Sequence, residues 1–565
     1  MRFRYLLLFC LAFQSIVASG DEIASVSLFG HVYQLQLVSN ERLLVTGMSA
    51  RGEGINSYHY RGTVQGQEGS WVRVSLVDGR WQGVLSMGGE TYIIDSSATS
   101  STSTDSTTPG LRRADMMAEP VSNFEVAPCG LVHGDGGQEI MASRQRYSME
   151  SQAGSGDEGA GGSSPIPQEV AFSSLCATTV NGLCLLAELE VAFDQQFQQV
   201  LSDADESPAD QALAIINMAE GYYRNDLNIA FDTLTVELLT STVFTTTQDA
   251  TELLEDVRLK RQNNELTFEQ SSQSLFHLVT GRDFNEGTAG IAYANSMCGA
   301  QFGTGVTQLI QDFSGPHIPL TALVMAHEIG HNMGAAHDVD DNSCGSGFIM
   351  EATLNIFANS FSSCSQSEIQ DYIATIPSPA VCMNFPVDIA ISAAGGNPGN
   401  VTEGEIFTLE YAVQTSSGFM PVSGIQVSGS VPNGQGTFSS VTLNGLGCTV
   451  ASDSLSYQCQ ADNPPANMTL LVNAVAETLV DGADSTYSQQ VSLVSGADLT
   501  DVNTGNEQAQ SVVIVADSAS PEPEPETPTA SSSGGGGGGS SGGWLLAVLT
   551  LLALDRNRRG AKAYV

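Results

Sequence analysis

The chain is expected to be multidomain, with a β-rich N-terminal region, a central α/β domain with a mixed sheet, and an all-β sandwich near the C-terminus. Three observations predict this. Residues 21–125 alternate apolar and polar side chains between Gly turns. Residues 169–386 alternate strand-like with helical periodicities. Residues 387–515 hold only short strand-like runs between Gly, Asn and Pro turns. At 565 residues the chain is long enough for three or four domains.

Lys plus Arg number 20 against 62 Asp plus Glu, a formal net charge of −42. So acidic a chain repels nucleic acid and anionic membrane surfaces, which removes nucleic acid as an expected partner. The charge reads as a solvated, salt-tolerant surface, with additional cation sites as the sharper alternative.

Residues 1–20 read as a signal peptide, with Arg2 and Arg4, an apolar run Tyr5–Phe13 and then small residues Val17-Ala-Ser-Gly20. Export permits disulfides. Loss of Cys10 with the leader leaves nine of the ten cysteines, an odd number, so one is expected to be free. Closeness in sequence suggests the pairs Cys176–Cys184 and Cys448–Cys459.

In residues 21–133 the runs Ile23–Phe29, Val32–Val38 and Trp71–Val77 read as strands, and Ser96–Thr108 as a Ser/Thr-rich loop. The region closes on Val126-Ala-Pro-Cys129-Gly130. A thiolate is a good zinc ligand, because the ion lowers a thiol's pKa enough to deprotonate it. Residues 134–168, rich in Gly, Ser and acids, read as a flexible linker for activation cleavage, with Arg146–Tyr147 as one candidate bond.

In residues 169–386, Leu185–Asp194 reads as a buried strand, Pro208–Leu227 as a helix with Pro in its first turn, Asn228–Phe231 and Leu234–Leu239 as two strands, and Ala250–Gln262 as an amphipathic helix. Ile318–Met333 reads as the helix that carries the chemistry. His327 and His331 lie four apart and share one face, a spacing that can hold one zinc ion. Glu328 is turned away from both and can reach the attacking water without becoming a ligand, which suits a general base. Gly334 stands where the helix must stop, and Gly adopts a positive φ at least cost. The chain then turns back to present His337 as a third ligand. Three protein nitrogens leave one coordination position open, the mark of a catalytic site. The extended pattern H-E-x-x-H-x-x-G-x-x-H carries three further matched positions beyond H-E-x-x-H. Three of the chain's eight His fall in this window.

This stretch resembles the metzincin metalloproteases, and Asp338 after the third His points to their adamalysin (reprolysin, ADAM-like) branch. Gly345–Met350 resembles the approach to the family's Met-turn, with Met350 under the metal. Asn359–Ser365 resembles its F-S-x-C-S stretch, and Leu278–Phe284 and Gly290–Cys298 resemble the strands before the active-site helix. Tyr60–Val64, Gly69–Val72 and Gly89–Ile94 resemble the family's propeptide. The resemblance implies a zinc endopeptidase acting on protein or peptide substrates. It implies a cysteine switch at Cys129 that fills the open position in the zymogen, and disulfides Cys298–Cys382 and Cys344–Cys364. It also implies a calcium site remote from zinc, built from Glu188, Asp283 and groups near Cys382. There Asn384 follows the cysteine by two residues where the family has a ligand at three. A catalytically silent adhesin on the same scaffold is the alternative, and an intact Glu328 argues against it. A zinc hydrolase acting on other bonds is a further rival.

Residues 387–515 read as an immunoglobulin-like β-sandwich, from strands such as Phe407–Val413, Ile425–Val431 and Val512–Val515. It is expected to serve as a spacer or adhesion module, with a substrate-binding exosite as the alternative. Residues 516–543 form a Pro/Glu and then Gly/Ser linker, followed in 544–565 by the apolar run Trp544–Leu554 and a basic tail. That run is short for a spanning helix, which needs about 20 residues. Linker, run and tail together resemble the GlyGly-CTERM sorting tails of Gram-negative bacteria. They imply removal by a rhomboid-type protease and delivery to the cell surface or medium, with a plain membrane anchor as the alternative.

Overall fold

The computed structural model describes residues 22–28, 31–40, 42–45, 57–95, 110–113, 129–132, 170–312, 315–339, 343–477, 483–494 and 498–516. The expected leader, Ser/Thr loop, activation linker with Arg146–Tyr147 and C-terminal tail lie outside the described residues. Among those described, no helix is long and apolar enough to cross a membrane.

The N-terminal strands close on themselves. β1 (Glu22–Leu28), β2 (His31–Ser39), β3 (Ser57–Val64), β4 (Trp71–Val77), β5 (Arg80–Met87), β6 (Glu90–Asp95) and β7 (Gly110–Arg113) follow in order, and β7 pairs back onto β1. Alternation sends Val26, Leu35, Leu37, Val72, Val74, Leu85 and Ile94 into the barrel core. A short β8 (Cys129–Val132) follows outside the barrel.

The central domain is an α/β layer structure. Its strands are β9 (Leu185–Phe193), β10 (Ile229–Leu238), β11 (Leu275–Thr280), β12 (Gly290–Tyr293) and β13 (Thr304–Gln308), in the order β10-β9-β11-β13-β12. All pair in parallel except β12, which is antiparallel to β13. The sheet is therefore mixed, as expected. The two strands expected over 228–239 are one, β10, because a bulge between Thr233 and Thr235 carries the chain past the polar interruption without breaking the pairing.

The helices are α1 (Gln195–Asp203), α2 (Pro208–Leu227), α3 (Ala250–Gln262), α4 (Ile318–Asn332) and α5 (Ser363–Ala374). α2 begins with Ser207 as N-cap and Pro208 in its first turn, and ends on Asn228 at φ +56°. Its apolar residues and those of α4 pack on one face of the sheet, and Leu253, Leu254 and Val257 of α3 pack on the other. All four suggested disulfides form: Cys176–Cys184, Cys298–Cys382, Cys344–Cys364 and Cys448–Cys459.

Two connections were not legible beforehand. The expected boundary at 386/387 falls inside a single strand, since β16 (Met383–Ala393) pairs with β9 through Met383 and Asn384 and with the sandwich strand β18 (Ile406–Ser417) from Val387 onward. One sheet of the sandwich, β21 (Leu446–Gly447), β20 (Gly436–Leu443), β24 (Asn467–Ala476), β18 and β16, with β26 (Leu499–Asp501) beside β16, thereby continues the sheet of the central domain, while β14 (Gln311–Asp312) and β15 (Gly315–Pro316) pair with each other. The other sheet runs β17 (Asn400–Thr402), β27 (Gln508–Ala516), β25 (Ala483–Leu493), β19 (Gly424–Ser430), β23 (Ser456–Asp462), β22 (Thr449–Val450).

The second connection docks the barrel on α2. Glu220, 1% exposed, pairs with Arg42 at 2.9 Å and Arg73 at 3.0 Å and accepts from the Phe231 amide at 3.1 Å. Trp71 meets Tyr222 edge-on at 5.2 Å. Gly221 leaves the space that the Arg73 side chain fills, since a Cβ there would stand 2.5 Å from Arg73 Cγ. Burial pushes the Glu220 carboxyl up, but Arg42, Arg73, Arg224 and the Phe231 amide outweigh it and hold it at about 2.

A depressed carboxyl contributes stability above its ordinary value and loses it as pH falls through the folded one. Glu220→Ala is expected to weaken the docked barrel by about 3–5 kcal/mol at pH 7, because it strands two buried guanidinium groups. The gap from wild type should close between about pH 4.5 and about pH 2. Urea unfolding followed by fluorescence of Trp71 and Trp81, both in the barrel, checks this.

Candidate metal centre and catalytic site

α4 enters the sheet layer with His327, Glu328 and His331 all buried. It ends at Met333, and Gly334 takes φ +111°, a turn in which a Cβ would stand 2.5 Å from Tyr372 Cβ. That turn swings His337 back over the helix. The ligand nitrogens of His327, His331 and His337 lie within 4.8 Å of one another, and Nε2 of His331 is 3.1 Å from Nε2 of His337.

The tautomers are set by neighbouring carbonyls. His327 Nδ1 donates to Ile349 O at 2.7 Å, and His331 Nδ1 donates to Ala335 O at 2.8 Å. A carbonyl can only accept, so in each neutral ring Nδ1 carries the proton and Nε2 presents a lone pair. Burial, against the Ile349 carbonyl, pushes His327 down to about 3 and keeps it neutral. His327 Nε2 is buried with no hydrogen-bond partner among the described residues. A buried nitrogen aimed at two other imidazoles fits a metal ion, and a set of three imidazole nitrogens suits zinc.

Two glycines let the helix approach this closely. A Cβ on Gly290 of β12 would meet Glu328 Oε1 at 2.6 Å and Cγ at 2.7 Å, so the carboxylate lies directly against that strand. A Cβ on Gly330 would meet Met350 Sδ at 2.7 Å, so Met350, fully buried, packs against the helix between the two histidines. Asn332 clamps the helix end to the sheet by donating to Tyr293 O, Thr304 O and Ser296 Oγ at 2.9–3.1 Å. Tyr223 of α2 donates to Ala326 O at 2.5 Å. Asp338 accepts from Ser362 Oγ at 2.7 Å and Ser365 Oγ at 3.0 Å, and its amide donates to Met350 O at 2.8 Å. One acid thus ties the third histidine's loop to the start of α5 and to the methionine. Sequence reasoning passed over Gly290, Gly330, Asn332 and Tyr223. An isolated Gly within a strand pattern was the available signal for Gly290.

β12 is the edge of the central sheet, and β8 covers it. The two pair in parallel, with Cys129 opposite Gly290 and Gly130 opposite Ile291. The register therefore sets the Cys129 backbone level with the residue that touches Glu328.

The expected calcium pair is not brought together. β9 and β11 are parallel with Leu189 opposite Leu275, so Glu188 lies at the start of β11 while Asp283 lies past its end. From the level of Glu188 to the end of β11 at Thr280 is already roughly 20 Å at about 3.3 Å per residue. Resemblance suggested the pair, and strand direction separates it. Glu188 instead faces Asp232, Glu190 and Asp498, and burial, then these charges, raises it to about 7. Asn384 donates to Asp232 at 2.7 Å, and the Glu188 amide donates to Cys382 O at 3.0 Å.

Residues 186–386 match the reprolysin (M12B) family of zinc metalloproteases. The snake venom metalloproteinase trimerelysin-2 of Protobothrops flavoviridis is 33% identical over 133 residues, which is 23% of this chain. The match spans 59% of that relative's length.

His331→Ala removes the nitrogen nearest His337 and is expected to drop bound zinc from about one equivalent to near zero. His277→Ala removes a buried ring held by Thr307, away from the trio, and should leave zinc content unchanged. Metal analysis of the two purified variants reads the difference.

Proposed function

We infer from the reprolysin-family match of residues 186–386 that the protein is a zinc-dependent endopeptidase, made as a zymogen and exported. The observation that carries this is the convergence of His327, His331 and His337 beside a fully buried Glu328 that lies against β12. Zinc held by the three histidines would supply a Lewis acid that polarises the scissile carbonyl and acidifies water. Glu328 takes one proton from the attacking water as the C–O bond forms. It gives that proton to the nitrogen as the C–N bond breaks, so acid and amine leave as products. Gly290 keeps the strand close to that carboxylate. Met350 and Asp338 position the helix and the third histidine and touch no reacting atom.

The edge of β12 offers backbone groups to an extended peptide, with specificity left to pockets. In the zymogen β8 holds this edge. The Cys129 register beside Gly290 supports a thiolate that fills the fourth position on zinc until the linker at 134–168 is cut. The leader at 1–20 and the tail at 544–565 support delivery to the cell surface or medium of a Gram-negative bacterium, with a rhomboid-type protease reading the tail.

Casein hydrolysis by the linker-cleaved protein tests the reading. A chelator should abolish activity, and Glu328→Ala should lower kcat by about 10²–10⁴-fold with zinc retained. A zinc-loaded wild type that cuts nothing would establish the silent scaffold instead. Gly290→Ala forces the Glu328 carboxylate to move. It should cost about 10²-fold in kcat/KM at unchanged zinc content, since misplacement by about 1 Å has that effect. In the uncleaved chain, Cys129→Ser should raise hydrolysis above the wild-type background, read with the same substrate.

A further inference from the structure

The outer face of the sandwich sheet β17-β27-β25-β19-β23-β22 is concave. It encloses about 580 Å³, within the range of small-molecule sites. Register aligns one residue from each of five strands across this face. Thr449 lies opposite Gln458, Gln458 opposite Ser428, Ser428 opposite Gln490, and Gln490 opposite Gln508. The central strand contributes Gln426 at one end and then the short side chains of Ser428 and Ser430, and its neighbours contribute long amides on both sides. The result is a trough with a serine floor and glutamine walls.

The inner face explains its shape. Val427, Tyr457, Gln489 and Val491 point into the core, and the Tyr457 hydroxyl donates to the side-chain Oε1 of Gln489 beneath the floor. The Cys448–Cys459 disulfide joins the residue before Thr449 to β23 and holds that wall in place. The trough is thus built on paired strands and a crosslink.

Its chemistry is selective. No Asp, Glu, Lys or Arg lines it, in a chain with 62 acids and a net charge of −42. Each amide offers two N–H donors and a carbonyl acceptor, and each hydroxyl offers both functions. A cationic or anionic ligand finds no countercharge here. An extended peptide finds no free strand edge, since the row lies on the sheet's face with its backbone groups paired. A neutral chain of hydroxyls matches amide walls, because every hydroxyl can donate to one group and accept from another at no cost in buried charge.

We propose that this trough, the row Thr449–Gln458–Ser428–Gln490–Gln508 over a serine floor, is a binding site for a neutral oligosaccharide. The site stands apart from the metal centre, and because β16 runs unbroken from the central sheet into the sandwich, the two are held in fixed relation. The sandwich then does more than space the protease from its surroundings. It anchors the enzyme to a glycan. Tyr457 borders the trough but its ring is buried in the core, so binding rests on hydrogen bonds and is weak, with Kd on the order of 10⁻⁵–10⁻³ M.

Titration calorimetry of the full chain with cellohexaose, chitohexaose and mannohexaose tests this. At least one of the three is expected to bind, with polygalacturonate inert. Gln458→Ala/Gln490→Ala should weaken binding at least tenfold at unchanged thermal midpoint, and Ser428→Trp, which fills the trough, should abolish it. Glu328→Ala should bind the sugar as wild type does, and the double glutamine variant should hydrolyse casein as wild type does, so the failure of either reading leaves the other standing. Absence of binding by all three sugars up to about 10 mM, or equal binding by the double variant, overturns the proposal.

Discussion

The close approach of one helix to one strand governs this molecule. α4 can bring Glu328 against β12 because Gly290 has no side chain, and it can rest on Met350 because Gly330 has none. A Cβ at either position would push a catalytic or supporting group by more than half an ångström, and interiors packed at crystal density do not absorb such a shift freely. The three histidines converge only in that geometry. Asn332 and Tyr223 then hold the helix along its length, from β12 and β13 at one end and from α2 at its side.

The same helix layer links the metal centre to the barrel. α2 supports α4 through Tyr223 and, on its far side, receives the barrel through Glu220, Arg42 and Arg73. The barrel is held by ion pairs that would be costly to leave half-made, and β8 pairs along β12 through its backbone. These two attachments differ in kind. The first is buried, charged and fixed in place. The second is a short strand, Cys129–Val132, paired in parallel along β12.

β16 makes the central domain and the sandwich mechanically continuous. At the seam, Glu188, Asp232 and Asp498 crowd together, and burial and mutual repulsion raise Glu188 to about 7. A chain so rich in acids places some of them where they oppose one another, and here Asn384 and Thr500 temper the crowding by donating to Asp232. Family resemblance directed attention to Glu188 for calcium with Asp283 as its partner, yet parallel strands set the two at opposite ends of the sheet.

What the sequence alone determined were features written in local periodicity and local chemistry. α2 and α3 begin and end where Pro208, Leu227, Ala250 and Gln262 predicted, because caps and helical spacing are properties of a few neighbouring residues. The metal trio was legible for the same reason, since His327, His331 and His337 lie within one turn and one reversal of each other. The short-range disulfides were readable from proximity, and the longer ones only through resemblance. Tertiary structure alone decided which distant surfaces meet. It decided that Gly290 faces Glu328, that Glu220 lies between two arginines of the barrel, that β8 adds to β12, that β16 crosses an expected boundary, and that Gln458, Ser428 and Gln490 align in one row. Each depends on strand register and on layers packing across long separations, and no local pattern encodes which partner a buried side chain will find.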